Sequence, residues 1–157
     1  MDVTPEKQNI DEVFGNRIYH IDFYQRQYKW TEEPVKRLLE DIFYKFNLEY
    51  ERHKASDIPL EQLEQLEQLI TKFAWYYLNT YVTNSVDGKV YVVDGQQRLT
   101  TLILILIKLK HFADQFHSRL KDWINSRIAG PSGYKKIFGW ITGKIIRSCR
   151  HYMMESL

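Results

Sequence analysis

The residues with the clearest chemistry are Asp94-Gly95-Gln96-Gln97-Arg98, followed at once by Leu99, Thr100 and Thr101. A glycine at a turn lets backbone come close to a phosphate and takes a positive φ without strain. Arg98 can hold phosphate oxygens through its two-pronged guanidinium. Asp94 can hold Mg²⁺ directly or through water. Gln96 and Gln97 can orient water or donate to oxygens, although an amide is too weak a base to deprotonate water. Thr100 and Thr101 add hydroxyl donors. The pattern lacks the Gly-rich loop ending in Lys-Ser/Thr of a Walker motif. The same residues equally suit an ordinary strand, turn and helix closed by an arginine ion pair.

A second cluster, Tyr24, Gln25, Arg26, Tyr28 and Trp30, sets three aromatic rings around a guanidinium. Such a set can stack a base and touch phosphates. It also suits half-buried aromatics with the arginine stem lying along them.

These residues need elements to position them. Lys89–Val93 and Trp75–Thr83 read as strands, joined through Asn84–Gly88, and Asp87-Gly88 is the turn signal of a hairpin. The hairpin leads into Asp94–Thr101 and then into Leu99–Phe116, whose alternating Leu and Ile also suit a buried strand but whose length, with Leu109, Phe112 and Phe116, favours a buried helix starting near Leu99. Upstream, Arg17–Phe23 reads as a short strand. Thr31 is placed to cap a helix whose apolar positions are Val35, Leu38, Leu39, Ile42, Phe43 and Phe46, with Glu32 and Glu33 in its first turn. A hydrophilic stretch, Glu49–Asp57, follows, then Leu60–Leu69 as a second helix or a loosely packed linker helix. Arg127–Gly133 is the clearest loop. Strands mixed with helices in this order predict an α+β domain with a small mixed sheet.

The 157 residues, 44% of them hydrophobic, suit one domain with a real core. The apolar run Leu102–Ile107 is far shorter than the roughly 20 residues that span a bilayer, and no signal peptide is read at the start. A single cysteine, Cys149, builds neither a disulfide framework nor a thiolate zinc site. His111 and His117 are six apart, off a shared helical face, so a histidine metal site is not expected. These features predict a cytoplasmic protein without a membrane partner.

Charge is uneven along the chain. Met1–Ile107 carries 12 Lys and Arg against 17 Asp and Glu, whereas Lys108–Leu157 carries 10 against 3. The cationic third, with Lys135, Lys136, Lys144, Arg147 and Arg150, suits contact with a polyanion such as DNA, or simply a solvated helical face.

Taken together, these segments resemble the N-terminal domains of GmrSD-type, modification-dependent restriction endonucleases. That family is marked by I-P-x-Y-Q-R-x-Y-x-W, an acidic amphipathic helix, a Y-F-L-G-S-I-type strand, and a strand ending in D-G-Q-Q-R-L-T-T-L. The counterparts here are Ile21–Trp30, Val35–Phe46, Tyr77–Val82 and Asp94–Leu102, the last matching in nine contiguous residues. Asp22 stands where the family has proline, and Asn79 where its middle strand has glycine.

The resemblance implies a ParB/sulfiredoxin-like fold over residues 1–128, with 129–157 a basic C-terminal segment. It also implies a site that binds and hydrolyses a nucleoside triphosphate with Mg²⁺. Asp94, Gln96, Gln97 and Arg98 would be its catalytic residues. Tyr24, Gln25, Arg26, Gly95, Thr100 and Thr101 would bind nucleotide, with Asp94 on the metal. The implied role is an NTP-dependent sensor in a restriction or anti-phage system, acting on double-stranded DNA, modified or not, with an HNH-type nuclease domain or subunit. The alternative is a non-catalytic DNA-binding or assembly module of the same fold.

Overall fold

Asn9 and Glu12 start the first helix together. The Asn9 side-chain oxygen accepts the Glu12 N–H at 2.9 Å, and the Glu12 carboxylate accepts the Asn9 N–H at 2.7 Å. This reciprocal capping box satisfies two donors that a helix start leaves over. The helix it opens, α1 (Ile10–Gly15), turns Val13 and Phe14 into the core. It was not expected from the sequence, although Asn-x-x-Glu is its signature.

The computed structural model describes residues 4–15, 17–22, 28–53, 68 and 70–129. After α1 come β1 (Tyr19–His20), α2 (Glu32–His53), β2 (Val82–Val86), β3 (Lys89–Asp94), α3 (Gln96–Gln115) and α4 (Leu120–Ala129). The protein is α+β, as the sequence predicts. The chain forms two units, Met1–Tyr28 with Tyr81–Leu157, and Lys29–Thr80.

In the first unit the sheet runs β1-β3-β2, with β1 parallel and β2 antiparallel to β3, so it is mixed. Asp87 (φ 50°) and Gly88 (φ 74°) form the two-residue hairpin turn, both left-handed, as a turn matching strand twist requires. That tight turn pairs Val86 with Lys89 and fixes the register. It corrects the expected first strand, which is Val82–Val86 and not Trp75–Thr83. The aromatics at 75–77 lie outside the sheet, their β propensity overridden by the register. Of the expected strand Arg17–Phe23, whose last residue lies outside the described ones, Tyr19 and His20 form β1 and pair with Val90 and Tyr91. Asp22, a poor strand former, stands beyond it.

The core of this unit gathers Val13, Phe14, Tyr19, Val92, Leu99, Ile103, Leu106, Ala113 and Ile124. Leu99, Ile103, Leu106 and Ala113 form one stripe of α3, and burying each Leu or Ile contributes about 1.5–3 kcal/mol. Buried Tyr19 donates its hydroxyl to the Val13 carbonyl at 2.9 Å, which fixes β1 to α1. Tyr81 packs edge-on against the Tyr19 ring and donates to the Gln8 side chain. Burial, helped by Tyr81, pushes the Tyr19 hydroxyl well above the usual tyrosine range.

α3 ends at Phe116 with His117 left-handed (φ 52°). Ser118 N–H reaches the Ala113 carbonyl at 2.8 Å and His117 N–H the Asp114 carbonyl at 3.4 Å, a Schellman motif. α4 follows. Its last turn holds Arg127, which meets Asp11 of α1 at 2.7 Å, so the first three residues of the loop expected at Arg127–Gly133 are helical instead. Residues 130–133 lie outside the described ones.

In the second unit α2 runs well past the expected Phe46. The hydrophilic stretch from Glu49 does not end it, because Glu49 is buried in its last turns. The Glu49 carboxylate accepts the Ala74 N–H at 2.9 Å and Arg52 at 2.7 Å. Phe73 packs on Phe46 and stacks on His53. The expected helix Leu60–Leu69 falls almost wholly outside the described residues.

Candidate functional site

β3 delivers the chain to the site, and a bulge aims it. From Val86↔Lys89 to Thr83↔Val92 the register is regular, but Val82 pairs with Asp94, which leaves Val93 as an extra residue. Val92 is fully buried. Strict alternation would point Asp94 inward beside it, burying a carboxylate at high cost. The extra residue breaks that phase, and Asp94 stands exposed at the end of the strand.

Gly95 then makes the corner. Its φ of 86° and ψ of 6° are left-handed, and it occupies the N-cap of α3. The helix starts at Gln96, not near Leu99 as the sequence suggested, because Gln, Gln and Arg are all good helix formers once glycine has turned the chain. The turn itself is therefore only Asp94-Gly95. Leu99 N–H closes the first helical bond, onto the Gly95 carbonyl at 3.0 Å. The first-turn amides are those of Gln96, Gln97 and Arg98, where a helix concentrates its positive end. A glycine cap supplies no side-chain oxygen to this end.

Gln96 and Gln97 are buried, and Arg98 is half-buried. Thr100 and Thr101 are 0% and 1% exposed, enclosed in the fold while Asp94 faces outward. The Thr100 hydroxyl has no hydrogen-bond partner. The Thr101 hydroxyl donates to the Gln97 carbonyl at 2.9 Å. It also meets the Tyr28 hydroxyl at 2.9 Å. With the threonine proton on Gln97, Tyr28 is the donor of that bond.

The structure thus brings Asp94, Gly95, Gln96, Gln97, Arg98, Thr100 and Thr101 into one strand–glycine–helix junction. Tyr24, Gln25 and Arg26 lie outside the described residues, as do Lys135, Lys136, Lys144, Arg147 and Arg150. Sequence reading missed the hydroxyl of Tyr28, which it treated as a stacking ring. A bond spanning 73 positions leaves no local signal. Among the described residues no group of three or more His, Cys, Asp or Glu stands together as a metal cluster. None of their helices is long and apolar enough to cross a membrane.

A small mixed sheet feeding a capped helix through a left-handed glycine defines an α+β domain built around one such junction. Residues 10–138 match the family described as GmrSD restriction endonuclease, N-terminal domain. The chain belongs to that family, and so to a restriction system. No curated protein and no solved structure matches it.

Proposed function

We propose that the Asp94–Arg98 junction binds a nucleoside triphosphate, and that the domain uses its hydrolysis as a switch within the restriction system. The observation that carries this reading is the left-handed Gly95 cap, where α3, 20 residues long, begins on a residue that has no side chain of its own. A helix start of this kind favours an anion, and a missing Cβ lets phosphate approach the backbone. Arg98 follows at the third helical position, near enough to the start to add a guanidinium. The exposed Asp94 carboxylate fits a metal that phosphates also ligate, since one carboxylate with substrate oxygens and waters is the usual Mg²⁺ arrangement. Mg²⁺ bound there would neutralise phosphate charge. To Gln96 and Gln97 this reading gives the task of donating to phosphate oxygens or holding a water. Buried Thr101 acts from within the fold to hold the turn through its bond to the Gln97 carbonyl.

The basic segment with Lys135, Lys136, Lys144, Arg147 and Arg150 is the part of this reading that touches double-stranded DNA, and cleavage belongs to a separate nuclease domain or subunit.

Equilibrium binding of ATP and GTP with Mg²⁺, and phosphate release with and without DNA, test the reading. Arg98→Ala should weaken binding by about tenfold to a hundredfold, the worth of a charge-assisted hydrogen bond. Asp94→Asn should weaken the Mg²⁺ dependence. Purified wild-type protein that binds neither nucleotide would overturn the proposal. Binding without phosphate release would assign the chain instead as a non-catalytic module.

A further inference from the structure

We propose that Tyr28 is a positioning residue of the junction, holding the Gln97–Arg98 peptide in place through Thr101. This rests on the nucleotide reading of the site. The Tyr28 hydroxyl donates to Thr101, and the Thr101 hydroxyl donates to the Gln97 carbonyl, both at 2.9 Å. The Gln97 carbonyl and the Arg98 N–H belong to one planar peptide. Fixing the oxygen therefore fixes the direction in which that first-turn N–H points.

A threonine bonded to the carbonyl four residues back is common in helices and by itself reports little. The unusual part is the second link. Tyr28 reaches Thr101 from 73 positions earlier in the chain, so the peptide is tied to a residue outside its own helix. Bonds in such a chain polarise one another, so a donor acting on the carbonyl side strengthens the N–H on the other side. Thr101 is 1% exposed, which shields its end of the relay from competing water, while Tyr28 is half-buried. Tyr28 is thus assigned a role through its hydroxyl, distinct from ring stacking.

Tyr28→Phe keeps the ring and removes the donor. In the full chain, with ATP and GTP plus Mg²⁺ as probes, it should weaken binding by a few-fold, with about tenfold, one net hydrogen bond, as the upper bound. Thr101→Val should do the same, and Thr101→Ser should restore wild-type binding. The double variant Tyr28→Phe/Thr101→Val should lose no more than either single one, because both break the same relay. Thermal unfolding of each variant separates this from general loosening. A Tyr28→Phe protein that melts lower yet binds nucleotide as the wild type does overturns the role given to Tyr28. So does additive loss in the double variant. If Arg98→Ala weakens binding as expected while Tyr28→Phe leaves it intact, the site stands and the relay falls. If the wild type binds no nucleotide, the reading of the site falls and the relay with it.

Discussion

The Glu49 carboxylate is held by the backbone N–H of Ala74, 25 residues further along the chain, at 2.9 Å. That bond closes the return of the chain against α2 in the Lys29–Thr80 unit. Ala74 first, then the charges of Arg52, His53 and Lys45, hold the Glu49 carboxyl below its ordinary value against an opposing effect of burial. A group whose folded pKa is depressed adds stability above its unfolded pKa and loses it as pH falls through the folded value. Wild type should therefore melt higher than Glu49→Gln at neutral pH. The gap should close progressively as pH drops below about 4.5, the ordinary glutamate value. Melting curves of both proteins from pH 7 to pH 3 measure it, and a gap constant over that range would contradict this role for Glu49.

Gly95 and His117 bracket α3 in the same left-handed backbone region, at φ 86° and 52°. Opposite substitutions should have opposite signs. Gly95→Ala places a Cβ where L residues are strained and should cost about 1–2 kcal/mol. His117→Gly relieves the strain at a position where helices prefer glycine, and should gain up to about 1 kcal/mol. Urea denaturation midpoints decide both. A Gly95→Ala protein as stable as the wild type would mean the corner tolerates a side chain.

The parts of this fold that follow local rules were legible in the sequence. Asp87-Gly88 marks a tight hairpin because few residues take two positive φ angles in succession, and the length of Leu99–Phe116 marks a helix, although Leu109, Phe112 and Phe116, which argued for its burial, stand exposed. The junction Asp94–Arg98 was legible as a set of residues. Its exact geometry was not. The Val93 bulge depends on where the hairpin register starts, so no alternation count on β3 alone shows that Asp94 turns outward. The aromatics at 75–77 have strong strand propensity, yet the two-residue turn moved the pairing downstream to Asn84 and Ser85. α1 carries its signal in Asn9 and Glu12, but six residues give no periodicity to confirm it. The Tyr28–Thr101 and Arg127–Asp11 contacts span 73 and 116 positions. Such pairings are decided by tertiary packing, which a reading of neighbours does not contain.

Tyr19 ties β1 to α1 through the buried bond to the Val13 carbonyl. Tyr19→Phe leaves that oxygen without its donor and should cost about 1–2 kcal/mol in urea denaturation. The raised pKa gives a second readout. A neutral acid favoured by burial adds stability below its unfolded pKa, near 10, and loses it as pH rises further. The wild type should therefore lose stability relative to Tyr19→Phe above pH 10. Phenolate absorbance in the native protein should show one tyrosine that stays protonated at pH values where exposed ones ionise. Complete ionisation of all tyrosines near pH 10 without unfolding would contradict the burial of this hydroxyl.

The DNA contact proposed for Lys135, Lys136, Lys144, Arg147 and Arg150 has a signature in salt dependence. Each phosphate neutralised releases counterions, so log K falls against log salt with a slope of about −0.9 per contact on duplex DNA. Five contacts would give a slope of about −4.5, and Lys135→Ala/Lys136→Ala should make it shallower by about 2 units. Because phosphate contacts carry no base information, the affinity loss in that variant should be similar on unrelated duplex sequences. Fluorescence anisotropy over a salt series measures both quantities. A wild-type slope near zero would remove DNA phosphates as the partner of this segment. A steep slope unchanged in the double variant would move the contact to cations elsewhere in the chain.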